Sequence, residues 1–466
     1  MRIAAISVAP VFPEHVIGGS QKILADLSVG LKKRGHDVQI WCTETEQHSG
    51  DFNIDGVPVR PDLKLRGVFP ATHQVSPISL ARTAGVLRRT ADWADRVYLH
   101  ADSVYLRHAI EGAQIVRSIH DYVYEEALVS TLSLPADTTV VPSDYLKRCV
   151  ETTVALSGRT SIEPVVSISN GVKVPEPESM ASVPVLPNGV AAREETDLIL
   201  LSPHRPEPTK GVREAILTAI QIQKLEPARN VRLLMPACPV EANFDDAAGT
   251  DDEVKALAEE LGGGDIVEFH DWLSPAQMPE YYAAGDVTLC LGSFIESFGL
   301  VPVESVATGT PAVCVRVGAL RQFSDVDGIT LVPCGDIENA AEAVLTAATL
   351  SSNVLRRGRE QITARFSVDT MISEFESVIT RFQAGERKIG SSDDNQLELA
   401  PWCDVQAGSI YDDYRATSLQ FPELTRALES SDGKITSDPL LLSASLDVEV
   451  RFAVDLGILI PEFVFE

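Results

Sequence analysis

No run of about 18 apolar residues, the least a helix needs to cross a bilayer, occurs in the chain. The opening MRIAAISVAP lacks the basic start, long apolar stretch and small-residue cleavage site of a secretory signal. A cytoplasmic protein with no stable membrane span is therefore expected. Paired cysteines are missing as well: the seven cysteines are an odd number, none forms a CxxC pair, and most fall inside apolar strand-like runs. That pattern predicts reduced core thiols rather than a disulfide framework. Positive charge is in short supply, with 39 Lys and Arg against 67 Asp and Glu and a net charge of −28. Phosphate-rich surfaces are held by clustered cations, so nucleic acid or an anionic bilayer is disfavoured as the main partner. No short tandem repeat is present.

What the chain does contain is a large apolar fraction, 44% of 466 residues with 23% charged, enough for two medium-sized domains and a remainder. Strand-like apolar runs alternate with amphipathic helical stretches, the pattern of α/β folds with parallel sheets, and the alternation happens twice. The first pass predicts strands at residues 3–8, 38–42, 96–99, 114–119 and 139–142, with a helix over 20–34 closed by Gly35. Residues 173–195, rich in proline and small side chains, read as a linker. The second pass predicts strands at 198–202, 231–235, 266–269, 287–291 and 312–316, and a long helix over 368–382 that closes the unit. The expected domains are residues 1–177 and 197–383, joined by 178–196, then a linker over 384–396 and a small extension over 397–466.

The stretch SFIESFGLVPVESVATG, beginning at Ser293, follows a buried strand and turns from loop to helix, with Pro302 in the first helical turn and Gly309 just past its end. Glu296 falls in the loop and Glu304 in the helix, eight residues on. That separation does not suit an acid/base pair on one atom. A helix start at the carboxyl end of a strand offers unpaired N–H groups and a positive dipole end, which suits a diphosphate. Carboxylates on either side would then accept hydrogen bonds from vicinal hydroxyls, the layout of a nucleotide sugar. Two glutamates at arbitrary spacing are usually solvated. Here, however, SPHRPEPTKG places Arg205 and Lys210 directly after another strand, at the same ligand-binding sheet edge, where cations neutralise a leaving diphosphate.

ESFGLVPVE resembles the E-x7-E signature of glycosyltransferase family 4, the retaining transferases of GT-B fold, and HRPEPTKG is similar to that family's diphosphate-clamping loop. GGSQ at residues 18–21, SISNGV at 167–172 and MPEYYAAGDVTLC before the signature follow in the family's order, so the resemblance runs from Met1 to about Phe382. It implies two Rossmann-like domains facing across a cleft. It also implies Arg205 and Lys210 on the donor diphosphate, Glu304 on the ribose hydroxyls and Glu296 on a hydroxyl of the transferred sugar. The backbone amides of Phe298, Gly299 and Leu300, with Gly18 and Gly19 of the glycine loop, would complete the phosphate site. His120, in RSIHDY after a strand, matches a position that contacts the donor sugar near the reacting centre. A lone histidine there is also commonly structural. Gly292, where the family commonly has proline, and PACP at 236–239 depart from the pattern and leave donor choice open.

Residues 9–17 are too long a loop for the dinucleotide fingerprint, which argues against a nicotinamide enzyme. No DxD-type sequence lies near the site, and the Asp pairs at 245–246, 251–252, 393–394 and 412–413 read as loop or tail acids. Metal-independent transfer without a cofactor is expected, with the nucleotide sugar, UDP favoured, as donor substrate and a glycan, natural product, lipid-linked sugar or peptide as acceptor. A nucleotide-sugar-binding protein without turnover, or an epimerase or phosphorylase on the same fold, are the alternatives. The extension regains apolar periodicity and predicts helices near 422–429, 438–445 and 446–455 with an extended end at 458–465, mainly helical and loosely like a winged helix. Acceptor binding, a lid or a homodimer contact are open to it. A chain ending near Gly390 is expected to keep its nucleotide site.

Overall fold

The computed structural model describes the chain except residues 13–18, 46–48, 66–74, 176–185, 238–249, 382–384, 393–394 and 432. It divides into two units, each formed from separate stretches of sequence. The first comprises Met1–Gly171, Val368–Gln396 and Pro461–Glu466; the second comprises Val172–Ser367 and Leu397–Ile460.

The first unit carries strands β1 (Arg2–Ser7), β2 (Asp37–Thr43), β3 (Phe52–Ile54), β4 (Val57–Leu63), β5 (Arg96–His100), β6 (Ile115–Ser118), β7 (Thr138–Val141), β8 (Ser161–Ile162) and β9 (Val165–Ser167). Eight of them form one sheet in the order β3-β4-β2-β1-β5-β6-β7-β9, parallel apart from the β3–β4 hairpin. β1 is apolar nearly throughout because both of its faces are covered. Ile3 and Ala5 join a core with Leu24, Leu27 and Leu31 of the helix Gly19–Lys33, while Ala4 and Ile6 join a second core with Leu87 and Ile110.

The helix Val368–Thr380, expected to close the second unit, belongs to the first. Its buried residues Met371, Ile372, Phe375 and Ile379 lie on one face, at helical spacing. That face fits against Gly30, where a Cβ would fall 2.2 Å from the Ile372 side chain. Arg34 then pairs with Glu376 at 2.8 Å and Asp369 at 2.7 Å. The apolar stripe is visible in the sequence; the partner it packs on is not.

In the second unit, β10 (Asp197–Leu201), β11 (Asn230–Pro236), β12 (Val267–His270), β13 (Val287–Cys290), β14 (Ala312–Val315) and β15 (Ile329–Val332) form an all-parallel sheet in the order β12-β11-β10-β13-β14-β15. Numbered within the unit, that is 3-2-1-4-5-6, the doubly wound Rossmann order. Both units therefore have the Rossmann-like architecture expected of a GT-B fold.

Residues 384–396, expected as linker, instead carry β16 (Arg387–Ser391), which pairs antiparallel with β8 and with the terminal strand. The remaining strands are β17 (Gln396–Leu399), β18 (Cys403–Gln406), β19 (Ser409–Asp412), β20 (Thr417–Leu419), β21 (Lys434–Thr436), β22 (Leu459–Pro461) and β23 (Phe463–Phe465). They accompany the helices Pro422–Ser430 and Ala444–Asp455. The two helices expected at 438–445 and 446–455 are a single 3-10 turn, Pro439–Leu441, and one helix capped by Ser443. Strands of three or four residues are too short for an alternating pattern to declare itself, so the extension's sheet content was not legible.

Candidate functional site

The chain leaves β10 toward β11 and β12, then returns to the other side of β10 as β13. At this reversal the loops after β10 and β13 leave the carboxyl ends of adjacent strands, the edge at which doubly wound sheets bind ligands. Arg205 and Lys210 lie on the first loop and Glu296 on the second. Topology thus brings together residues far apart in sequence, Lys210 and Glu296 being 86 positions apart.

The two loops meet backbone to backbone. The Phe294 N–H donates to the Thr209 carbonyl at 2.9 Å. A Cβ on Gly292 would lie 2.2 Å from that same carbonyl oxygen, and one on Gly211, whose φ is 84°, would lie 2.4 Å from the Gly292 nitrogen. Neither position has room for a side chain, which accounts for Gly292.

Lys210 Nζ donates to Glu296 Oε1 at 2.8 Å and stands 3.4 Å above the centre of the Phe294 ring. Burial pushes the Glu296 carboxyl up, but the charge and hydrogen bond of Lys210, with a further contribution from His204, hold it below the usual range. Glu296 is ionised at neutral pH. Arg205 pairs with Glu207 at 2.9 Å. On its far side Glu296 is fixed by its backbone: its carbonyl accepts from the Ala319 N–H at 2.8 Å, and Gly318, at φ 55°, passes so close that a Cβ would meet the same oxygen at 2.6 Å.

The helix Leu300–Thr308 begins at Gly299, which has φ 97° and supplies no side-chain cap. The amides of Phe298, Gly299 and Leu300 gather at this positive end. Glu304 stands in the helix with its Oε2 accepting from the Tyr282 hydroxyl at 3.2 Å. Burial first, and the Glu304 charge second, push the Tyr282 phenol far up, so it remains a donor. Tyr282 belongs to MPEYYAAGDVTLC, a stretch noted in the sequence only as a family marker; its partner could not be read from spacing. His204, whose Nε2 lies 3.2 Å from the Leu289 carbonyl, was likewise missed, although it sits at a strand end beside Arg205.

Gly19 and His120 belong to the first unit, and Gly18 lies outside the described residues. There the sheet reverses between β1 and β5, and the helix Gly19–Lys33 starts beyond the loop after β1. His100, at the end of β5, was not singled out in the sequence. It links Ser20 Oγ, 2.8 Å from its Nε2, to the Tyr98 hydroxyl, 3.0 Å from its Nδ1. Tyr98 donates to Ser118 Oγ at 2.9 Å, and Ser118 Oγ lies 3.1 Å from His120 Nε2. Because Ser118 Oγ accepts from both the Tyr98 hydroxyl and the Ala101 N–H, at 3.1 Å, its own proton goes to His120 Nε2, and a neutral His120 carries its proton on Nδ1. The two imidazole rings lie 4.5 Å apart. Burial keeps both neutral, drawing His120 down to about 4 and His100 well below the ordinary 6.5. His120 is thus a neutral donor through Nδ1.

Among the described residues no three His, Cys, Asp or Glu are grouped to hold a metal ion, and no helix is long and apolar enough to cross a membrane. Asp245 and Asp246 lie outside the described residues.

Two family models match: Glycosyltransferase Family 4 over residues 17–174 and Glycosyl transferases group 1 over 189–361. D-inositol 3-phosphate glycosyltransferase of Corynebacterium glutamicum is 35% identical over 116 residues, 25% of this chain and 26% of that protein. Its counterpart in Acidothermus cellulolyticus is 27% identical over 330 residues, 65% of this chain and 71% of that protein. Among solved structures, sucrose-phosphate synthase of Thermosynechococcus elongatus superposes with a TM-score of 0.65 at 18% identity, covering 81% of this chain and 98% of its own. HepE of Anabaena, solved in complex with UDP, gives 0.61 at 19%, covering 82% and 100%. The chain thus spans about a quarter of the Corynebacterium relative and nearly the whole of the two structural neighbours. Two models matching successive stretches, 17–174 and 189–361, the matching fold and the E-x7-E carboxylates beside the paired cations lead to one conclusion: the chain belongs to glycosyltransferase family 4.

Proposed function

We propose that this protein transfers a sugar from a nucleoside diphosphate sugar, UDP favoured, to an acceptor hydroxyl with retention of configuration. The observation that carries this reading is the Lys210–Glu296 pair at the β10/β13 reversal, beside a helix start whose next acid, Glu304, is held separately by Tyr282. An ammonium has three N–H groups, so Lys210 can keep Glu296 and still donate to a phosphate oxygen. Arg205 and the amides of residues 298–300 supply further donors to the diphosphate. Glu304 takes the ribose hydroxyls, and Glu296 takes a hydroxyl of the sugar. His120, neutral and protonated on Nδ1, donates to another sugar hydroxyl.

In the step itself, the bond from the sugar's anomeric carbon to the diphosphate oxygen breaks as the bond to the acceptor oxygen forms on the same face. The departing diphosphate oxygen takes the acceptor proton. The protein supplies positioning and charge stabilisation through an oxocarbenium-like state. UDP-glucose and D-inositol 3-phosphate are the first donor and acceptor to try, since a HepE structure is described with UDP-glucose and the sequence relatives are named for inositol 3-phosphate.

The test is nucleoside diphosphate release from UDP-, GDP- and ADP-sugars with and without that acceptor, with the anomeric configuration of the product read by NMR. Release is expected, and Arg205→Ala or Lys210→Ala should lower it about a hundredfold while the fold survives. Full turnover in both variants would remove the diphosphate assignment; an inverted product would remove retention.

A further inference from the structure

The extension after residue 396 reaches the segment that holds Glu296, and does so with charge. β18 and β19 form a hairpin, and Asp413, the first residue past it, is fully shielded from solvent at its side chain. Its Oδ2 accepts from the Gly318 N–H at 3.3 Å and its Oδ1 pairs with Arg321 at 2.5 Å. Asp404, on β18, takes Arg316 through both oxygens, at 2.9 and 3.1 Å. Gln406, at the end of β18, donates to the Arg316 carbonyl at 2.7 Å and accepts from the Cys334 N–H at 3.1 Å. Tyr411, between these acids, is buried in the same core as Phe298, Val317 and Phe323.

Apart from the Cys334 bond, these contacts converge on residues 316–323, the turn after β14. On its other side the same turn meets the donor-site segment: Ala319 donates to the Glu296 carbonyl, Gly318 lies against it with no room for a side chain, and Gln322 donates to the Phe298 carbonyl at 3.0 Å. A turn gripped from one side by Asp404, Gln406 and Asp413 and touching Glu296 on the other transmits position. A loop free to adjust would let the Glu296 carboxylate drift, and misplacement of about 1 Å is costly in transfer chemistry.

We propose that the C-terminal hairpin is a positioning element of the donor site, with Asp413 and Asp404 fixing the 316–323 turn and through it Glu296. The two acids lie outside both stretches matched by the family models, so the device is an addition to the transferase core. The functional half of this inference rests on the sugar-side role proposed for Glu296; the mechanical half does not.

The experiment uses the full chain and two variants, Asp413→Ala and, because loss of a buried charge partner can prevent folding, the more exposed Asp404→Ala. Hydrogen exchange is measured at the Ala319 and Phe294 amides, which bind the Glu296 and Thr209 carbonyls and touch neither acid. UDP release from UDP-glucose and the Kd of UDP are measured beside it, with Glu296→Ala as reference. Exchange at both amides should accelerate about tenfold in a folded variant, and UDP release should fall about tenfold, while the Kd of UDP stays within about twofold. Unchanged exchange in the folded variants overturns the proposal. Faster exchange with undiminished release, where Glu296→Ala abolishes release, overturns it equally. Should Glu296→Ala itself leave release intact, the role given to Glu296 falls, and the exchange measurement alone judges the tether.

Discussion

Glu304 and Glu296 carry the same functional group yet sit in different electrostatic settings, which is what allows them separate tasks. Glu296 is held ionised by an ammonium, whereas Glu304 receives a neutral phenol that its own charge helps keep protonated. If Glu304 takes the ribose, removing the phenol should weaken nucleotide binding without touching the sugar side. Tyr282→Phe is expected to raise the Kd of free UDP about tenfold, the worth of one hydrogen bond to a charged acceptor. Calorimetric titration reads this, and an unchanged Kd would show that the phenol does not orient Glu304.

His120 makes a prediction through its titration. Its folded value, about 4, is depressed from the ordinary 6.5 by burial, so the neutral ring contributes stability that is complete above pH 6.5 and is lost as the pH falls toward 4. His100 acts in the same direction. Melting temperature should hold steady above that window and decline within it, and His120→Gln should flatten the decline. An equally steep decline in the variant would exclude His120 as its source. Glu296, depressed from 4.5, adds nothing to the loss until the pH falls below that value.

At the scale of elements, the close approach of the loops after β10 and β13 is the feature on which the cation and the carboxylate depend. Gly292 and Gly211 face each other across it, and the atoms that a new Cβ would meet are backbone, which cannot swing aside. Gly292→Ala should therefore separate the loops, costing about 1–3 kcal/mol as overpacking does. A fall of several degrees in melting temperature is expected, together with a marked loss of nucleoside diphosphate release as Lys210 is displaced from Glu296. A variant with unchanged melting temperature and turnover would show that the loops can part without consequence. The sequence marks Gly292 as unusual but is silent on why, because the carbonyl it accommodates belongs to Thr209, 83 positions earlier by number.

At the scale of the whole molecule, the structure predicts for truncation near Gly390 the opposite of what the sequence led one to expect. Such a chain loses β23, the partner of β16, in the first unit. In the second it loses Tyr411 from the main core and the acids that grip the 316–323 turn. It should express as aggregated protein, or melt far below the full chain, and bind UDP poorly. Gel filtration and UDP titration check this; a soluble chain with full UDP affinity would restore the picture of a detachable extension.

Local chemistry written into the sequence determined the repeated α/β alternation, five of the eight strands of the first sheet and five of the six of the second, with β3, β4, β9 and β15 missed, the helix start at Gly299 and the candidate cations and acids. Each of these depends on neighbours close in sequence: apolar runs long enough to show a period, a proline in a first turn, a glycine after a last one. Tertiary structure alone decided which groups meet. Tyr282 beside Glu304, His100 beside Ser20 and His120, the helix Val368–Thr380 against Gly30, and Asp413 beneath Gly318 all join residues that no periodicity connects. Such contacts are set by strand order and by the shapes of packed faces, which a single sequence encodes only through the fold it adopts.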